Sequence, residues 1–195
     1  MRYSKLADNT EGTCRTRYPV TRTHESMSSN KNIFETERLY LREFTIDDAQ
    51  LLIDLNSDSD VTRYTGDGPV KDIEEAKRIL TEIIFPQYKN KMGRWAVRLK
   101  SNDEFIGWCG LKYLADSNVT DLGYRFFKRH WGKGYATESA KAVIDYGVYT
   151  LKLTNIVARA AKANIASINV IKKMGMVYLK DEMCAHDPAE VYILK

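Results

Sequence analysis

A short glycine loop, Arg-His-Trp-Gly-Lys-Gly-Tyr-Ala at positions 129–136, holds the residues whose types and spacing could do chemistry. An apolar strand pattern over residues 122–127 leads into the loop, and a helical pattern begins near Gly134. A helix N-terminus presents unpaired N–H groups and the positive end of the helix dipole, so a turn here can bind phosphate. Glycine at 132 and 134 lets the backbone take positive φ and approach a ligand. The loop predicts a pyrophosphate site; an ordinary tight turn is the alternative.

The composition bounds the class of protein. The chain has 195 residues, enough for one hydrophobic core, and its 44% hydrophobic and 29% charged residues are typical of a globular domain. Residues 1–32 carry six basic and three acidic side chains, which accounts for +3 of the net charge of +4. The rest of the chain is nearly neutral, so no basic face is predicted and we expect no nucleic-acid partner.

Cysteine usage and hydropathy bear on the cellular setting. The three cysteines, Cys14, Cys109 and Cys184, are far apart and odd in number, so they form neither a disulfide framework nor a metal-ligand cluster. The N-terminus lacks the apolar core of a signal peptide, and no apolar run is long enough to span a bilayer. We therefore expect a cytoplasmic protein with no metal and no membrane association.

The N-terminal segment, residues 1–32, is polar and shows neither helical nor strand periodicity, which predicts a flexible tail. Met27 is a candidate for the natural start, in which case residues 1–26 do not belong to the natural protein; a genuine but mobile arm is the alternative. Residues 33–195 have no internal repeat and no linker, so they are predicted to form a single domain.

The periodicity of residues 33–195 predicts alternating strands and helices. Thr45–Asp48 resembles a capping box, and a second helix should run from Asp72 and either stop near Pro86 or continue, frayed, towards Gly93. The predicted order is a strand at 39–44, two helices, three strands from residue 95 to 127, the helix after the loop, a strand at 154–161, a helix at 164–174, and closing strands at 176–180 and 191–194. This order indicates an α/β (α+β) domain with a mixed, mostly antiparallel central sheet flanked by helices.

Four stretches in this order resemble the GNAT-type N-acetyltransferases. They are Arg129-x-x-Gly132-x-Gly134, the wider run from Leu122-Gly-Tyr to Tyr-Ala-Thr-Glu138, the first strand Thr36-Glu-Arg-Leu-x-Leu-Arg42, and Asn164-x-x-Ser167 followed by Met-Gly-Met at 174–176. The wider run is most similar to the ribosomal-protein-alanine N-acetyltransferases. The resemblance covers residues 33–195 and implies the GNAT fold, in which a splayed strand pair forms the cleft for coenzyme A (CoA).

The resemblance also implies acetyl-CoA as cosubstrate. The strand that ends at Phe126 would splay from the strand at 154–161 and pair its free backbone groups with the pantetheine amides, as in strand addition by a ligand. The resemblance assigns CoA binding to Phe126, Phe127, Arg129, Trp131, Gly132, Lys133, Gly134, Tyr135, Ala136, Thr137 and Asn164. For Asn164, an asparagine just before a helical pattern, helix N-capping is an equal alternative.

The catalytic groups are less well defined by the sequence. Many members of the family carry, at the position of Ile171, a tyrosine that protonates the leaving thiolate, and isoleucine cannot do so. Ser167 is therefore the candidate general acid. Asp121 is the candidate general base, with a turn or edge role as its alternative. Further candidates for the base are Glu182, His186, Asp187 and Glu190.

The expected function is acetyl transfer from acetyl-CoA to a primary amine by direct attack in a ternary complex, with N–H groups near Phe126 donating to the oxyanion. The acceptor is left open between a protein N-terminus and a small molecule, with Tyr64 and Trp108 as candidate pocket residues. A non-catalytic acyl-CoA-binding module is the alternative, and a homodimer is left open.

Overall fold

The computed structural model describes residues 32–184 and 187–195. Most of the predicted tail, the proposed start at Met27 and the candidate base His186 lie outside these residues. Asn32, which the sequence assigned to the tail, is the first residue of a strand. That strand has only four residues, too few to show a periodic pattern.

Within residues 32–184 and 187–195 the chain forms eight strands and six α-helices. The strands are β1 (Asn32–Glu35), β2 (Leu39–Arg42), β3 (Gly93–Leu99), β4 (Phe105–Leu114), β5 (Val119–Phe126), β6 (Ile156–Ala161), β7 (Val177–Cys184) and β8 (Asp187–Ile193). The helices are α1 (Ala49–Asn56), α2 (Ser59–Thr62), α3 (Ile73–Arg78), α4 (Phe85–Tyr88), α5 (Tyr135–Asp145) and α6 (Ile165–Lys173).

The strands form one sheet in the order β1-β2-β3-β4-β5-β6-β8-β7. Every neighbouring pair is antiparallel except β5 and β6, which are parallel. This pair forms a register over Thr120–Leu122 only, opposite Ile156–Ala158, although the strands run on to Phe126 and Ala161. The mostly antiparallel sheet with one splayed strand pair agrees with the fold predicted from the sequence.

The two faces of the sheet carry separate hydrophobic clusters. On one face, α5 and α6 bury Val143 and Ile171 against Leu122 and Val97. On the other face, α1 and the helical segment that starts at α3 pack over Ala96. Because adjacent residues of a strand point to opposite faces, β3 contributes Val97 to one cluster and Ala96 to the other. The domain is therefore a three-layer structure with helices on both sides of the sheet.

The helix starts agree with the capping signals in the sequence. The Thr45 N–H donates to Asp48 Oδ2 at 2.7 Å, and Asp72 caps α3 by accepting from the Glu75 N–H at 2.8 Å. Arg42 binds both oxygens of Asp48 at 2.7 Å, and both residues are buried. Burial opposes ionisation of Asp48, but the hydrogen bonds from Arg42 and Thr45 outweigh it and lower the pKa of the carboxyl.

Of the two ends left open for the second helix, the structure has the later one, because the helix continues past Pro86. A π-helical segment, Ile79–Ile84, links α3 to α4, and Pro86 lies in the first turn of α4. The closing strands are longer than predicted, because β7 and β8 pair as a hairpin as far as Cys184 and Asp187. Their outer ends, Asp-Glu-Met-Cys at 181–184 and Asp-Pro-Ala-Glu at 187–190, lack the apolar alternation from which strands are predicted.

Candidate active site

The splay between β5 and β6 opens into a cleft of about 1050 Å³. One arm of the cleft reaches the glycine loop and the first turn of α6, and its lining includes Phe126, Trp131, Gly132, Ala136, Asn164 and Ser167. The other arm lies on the opposite face of the sheet, below α1 and the segment at 67–71. The cleft therefore connects a glycine loop on one side with a partly apolar pocket on the other.

The glycine loop ends in a helix N-terminus, as the sequence predicts. Gly132 and Gly134 have φ of 73° and 84°, in the left-handed region that favours glycine. The first bond of α5 joins the Glu138 N–H to the Gly134 carbonyl at 3.0 Å, so the three N–H groups before Glu138 have no helical partner. A Cβ added at Gly132 would meet nothing within 4 Å, which leaves open space beside these donors.

Glu138 and Arg38 stabilise the glycine loop through hydrogen bonds. Glu138 accepts from Thr36 Oγ1 at 2.6 Å, the Arg38 N–H at 2.9 Å and Arg38 Nε at 2.7 Å. The same guanidinium donates to the Lys133 carbonyl at 3.0 Å and lies 4.6 Å from the centre of the Tyr135 ring. Although burial opposes it, these hydrogen bonds lower the pKa of Glu138. The sequence showed Glu138 only as the end of the run that resembles the family, and its ordering of the loop was missed.

Arg129 and Phe127 lie beside the loop and outside the lining of the cleft. Arg129 Nη2 donates to Glu104 Oε1 at 3.1 Å, and its guanidinium lies 4.1 Å from the centre of the Phe127 ring. His130 Nε2 is 3.0 Å from the same Glu104 oxygen. Arg129 is thus neutralised in this arrangement, and a phosphate would have to compete with Glu104 for it.

Phe126 lies at the end of β5, on the edge of the gap. The Phe127 N–H donates to the Ile106 carbonyl on β4 at 3.1 Å. Backbone groups of successive strand residues point to opposite edges, so those of Phe126 and Tyr124 point away from β4, toward the gap. The Phe126 carbonyl accepts from Trp131 Nε1 at 2.8 Å. The Phe126 N–H and both Tyr124 groups therefore face the cleft.

Asn164 caps α6, which bears out the capping alternative. Its Oδ1 accepts from the Ser167 N–H at 3.1 Å, while its Nδ2 takes no part in this bond. Both residues line the cleft. Their predicted roles in pantetheine binding and proton transfer remain predictions.

Tyr124 is a residue of the cleft that sequence reasoning missed. Its hydroxyl donates to the Ser167 carbonyl at 3.4 Å, and burial raises the pKa of the phenol to about 12. The available signal was its position two residues before Phe126, which places both side chains on the same face of β5. Ile171, the position of the family's tyrosine, is buried in the core.

Asp121 lines the cleft, but its carboxylate is already engaged. Arg94 Nη2 donates to Oδ2 at 2.9 Å and Arg159 Nη1 donates to Oδ1 at 2.8 Å. Because both carboxylate oxygens accept hydrogen bonds from guanidiniums, neither is free to accept one from a substrate amine, and this geometry does not favour the predicted role as base. The candidate Glu182 accepts from Arg159 Nε, and Glu190 accepts from the Tyr192 hydroxyl.

The second arm of the cleft contains Tyr64 and Trp108, the two aromatic residues expected to line an acceptor pocket. Two guanidiniums approach Trp108, with the central carbon of Arg94 5.1 Å and that of Arg125 5.5 Å from the centre of its ring. Cys109, its neighbour on β4, is fully buried, and burial raises the pKa of its thiol to about 12. A thiol with so little thiolate is not a nucleophile at neutral pH.

Residues 32–184 and 187–195 contain no group of three or more His, Cys, Asp or Glu side chains arranged to hold a metal ion. Nor does any helix within those ranges have the length and apolarity needed to cross a membrane.

Comparison with known proteins shows to which family the chain belongs. Residues 38–177 match the acetyltransferase (GNAT) domain family. The uncharacterized N-acetyltransferase p20 of Bacillus licheniformis is 34% identical over 71% of this chain and 79% of its own length.

Solved structures give the same result. A GNAT-family acetyltransferase from Bacillus anthracis superposes with a TM-score of 0.70 at 25% identity, covering 82% of this chain and 96% of that one. The spermidine N-acetyltransferase of Vibrio cholerae, solved with CoA and spermine, has the same fold, with a TM-score of 0.66 at 19% identity over 80% of this chain and 92% of that one. The chain belongs to the GNAT family of acetyltransferases.

Proposed function

We propose that the protein transfers an acetyl group from acetyl-CoA to a primary amine, by direct attack in a ternary complex. The observation that carries the proposal is the splay of β5 from β6 after Leu122. The splay exposes backbone groups of β5 at the point where the cleft passes from one face of the sheet to the other. A donor on the glycine-loop side and an acceptor on the Trp108 side can therefore meet there.

The residues on the loop side fit CoA. The unpaired N–H groups of Tyr135, Ala136 and Thr137, with the positive end of the α5 dipole, suit a pyrophosphate, and the open space beside Gly132 admits it. The free groups of Tyr124 and Phe126 on β5 suit the amides of an extended pantetheine arm. The V. cholerae relative, which shares the fold, was solved with CoA.

Acetyl-CoA supplies an activated thioester, so this chain has mainly to position and desolvate the reactants. The Phe126 N–H is placed to donate to the carbonyl oxygen as negative charge develops on it. Ser167 is our candidate for protonating the leaving thiolate. The amine must lose a proton before attack, and because Asp121 is held by two arginines, we assign this step to a water relay through the cleft.

The broader setting belongs to the same proposal. We assign residues 32–195 to a single domain after a tail, acting in the cytoplasm without nucleic acid or membrane, and leave a homodimer open. Cys109 and Cys184, the cysteines within the described residues, are both free, which suits a reducing compartment.

A CoA-release assay across a panel of primary amines tests the function, with equilibrium binding of acetyl-CoA measured in parallel. We expect acetyl-CoA to bind and at least one amine to be acetylated, with intersecting double-reciprocal plots. Parallel plots, or a trapped acetyl-enzyme, would contradict direct attack. Tight binding with no turnover on any amine would favour a non-catalytic acyl-CoA-binding module.

A further inference from the structure

Arg125 is a buried cation in the wall of the second arm of the cleft, the arm that contains Trp108. Its side chain is 8% exposed, and it extends from β5 on the face opposite Tyr124 and Phe126. One Nη atom donates to Asn56 Oδ1 at the end of α1, which fixes the guanidinium in place. Its Nε is buried and has no partner among the described residues. A guanidinium has five N–H donors, so this one retains capacity to bind an anion.

The carboxylate that pairs with Arg125 is exposed, although Arg125 itself is buried. Asp67 accepts from Arg125 Nη2 at 2.8 Å, but its side chain is 63% exposed. Asp67 belongs to the stretch 67–71, which has no regular secondary structure and borders the cleft. An exposed carboxylate gains little from an ion pair, whereas a buried guanidinium depends on having one. Asp67 can therefore leave Arg125 at small cost if another carboxylate takes its place.

The position of Arg125 links this anion site to the transfer site. Arg125 directly precedes Phe126, whose N–H faces the gap between β5 and β6. The Trp108 ring lies 5.5 Å from the guanidinium and offers a flat apolar wall beside it. A small molecule whose carboxylate binds Arg125 would thus hold its other end close to the gap.

From this geometry we infer that the acceptor is an amine that also carries a carboxylate, and that Asp67 occupies the place of that carboxylate in the free protein. The inference rests on the proposed acetyl transfer and specifies its acceptor. The carboxylate can belong to a small amino acid or to an acidic residue near a peptide N-terminus. In both cases Arg125 exchanges one carboxylate partner for another, and no buried charge is left unpaired.

The test compares matched acceptors. ω-Amino acids of two to six carbons are assayed against their primary amides, which lack the negative charge of the carboxylate. The amidated peptides Ala-Glu-Ala and Ala-Gln-Ala form a second arm of the experiment. We expect kcat/KM to be at least tenfold higher for the acid at one or more chain lengths, or for the Glu peptide over the Gln peptide. The arm that shows the preference identifies the source of the carboxylate.

Three variants at the cleft sharpen the test. Asp67→Asn frees Arg125 and should raise kcat/KM about threefold or more for the acid while leaving the amide unchanged. Asp60→Asn is the matched control, since Asp60 also borders the cleft but pairs with the exposed Lys128, and it should leave the acid-to-amide ratio unchanged. Arg125→Gln should abolish the preference; because Arg125 is buried, this variant can fail to fold, and Asp67→Asn then decides.

Equal kcat/KM for acids and amides in both arms, or an Asp67→Asn variant with an unchanged ratio, overturns the inference while leaving the transferase proposal intact. Failure of the transferase proposal would give a different result: acetyl-CoA would not bind, and no amine would cause release of CoA. If acetyl-CoA binds without turnover, calorimetric titration of the acids and amides decides: binding of the acids alone supports the inference, and equal binding overturns it.

Discussion

Asp121 on β5 and Arg159 on β6 are joined by a 2.8 Å ion pair, and Arg159 is the first residue of β6 beyond the paired register. The pair lies where the two strands begin to separate. Arg94 on β3 binds the other oxygen of the same carboxylate. Asp121 therefore ties three strands together at the base of the cleft, and its partners define a structural role.

Replacing Asp121 distinguishes this role from general-base catalysis. Asp121→Asn leaves two partly buried guanidiniums short of a carboxylate, so we expect the free energy of unfolding to fall by about 1–3 kcal/mol. The pH dependence of kcat should keep its shape, with kcat reduced by less than about tenfold. Denaturant melts and a pH–rate profile measure both. A loss of kcat by several orders of magnitude together with loss of the acidic limb, on which the rate rises with pH, would restore Asp121 as the base.

Arg38 is expected to act as a positioning residue for the glycine loop. Arg38→Ala removes the bond to the Lys133 carbonyl and the main partner of Glu138, so acetyl-CoA binding should weaken about tenfold. Arg38→Lys should recover part of the affinity, because a lysine amine can still reach one of the two acceptors. Lys141→Ala changes an exposed residue of α5, the helix that carries Glu138. This variant is the control and should bind acetyl-CoA normally. Equal dissociation constants for Arg38→Ala and the control would exclude the positioning role.

The Arg42–Asp48 pair gives a prediction about pH. The pKa of Asp48 is lowered in the folded state, so its contribution to stability is present above the unfolded pKa of about 3.9 and is lost as the pH falls through the folded pKa. Asp48→Asn should destabilise the protein by about 3 kcal/mol at pH 7, since it leaves Arg42 buried and unpaired. The difference from the parent protein should shrink below about pH 4. Urea melts from pH 7 to pH 3 measure it, and a constant difference would rule out this linkage.

The first turn of α6 gives a prediction about proton transfer. If Ser167 protonates the leaving thiolate, Ser167→Ala should lower kcat about 10²-fold with little change in the KM for acetyl-CoA. Tyr124→Phe removes only the hydrogen bond to the Ser167 carbonyl, so it should cost less than tenfold in kcat. Steady-state kinetics with saturating amine separate the two. A larger loss in Tyr124→Phe than in Ser167→Ala would move the acid role to the phenol.

Signals contained within one short stretch of sequence predicted their structures well. The glycine loop, the Thr45–Asp48 capping box and the Asn164 cap each depend on residues no more than a few positions apart, so local geometry determines them. The splayed strand pair followed from the family resemblance rather than from any local pattern.

Contacts between distant residues could not be predicted in the same way. Arg38 and Glu138 are 100 residues apart, and Asp121 meets Arg94 and Arg159 across 27 and 38 residues. The sequence shows that Asp121 is a carboxylate, but only the fold shows that both its oxygens are taken. The chemistry expected of Asp121 changed for that reason.

Binding of acetyl-CoA to two matched glycine variants tests the central claim most directly. Gly132 and Gly175 have nearly the same φ, 73° and 76°, and an added Cβ would meet nothing within 4 Å at either position. Alanine should therefore strain the backbone equally at both. Calorimetry should show at least a tenfold rise in Kd for Gly132→Ala, where the Cβ enters the proposed pyrophosphate site, and an unchanged Kd for Gly175→Ala. Equal dissociation constants for the two variants would contradict the assignment of the glycine loop to CoA.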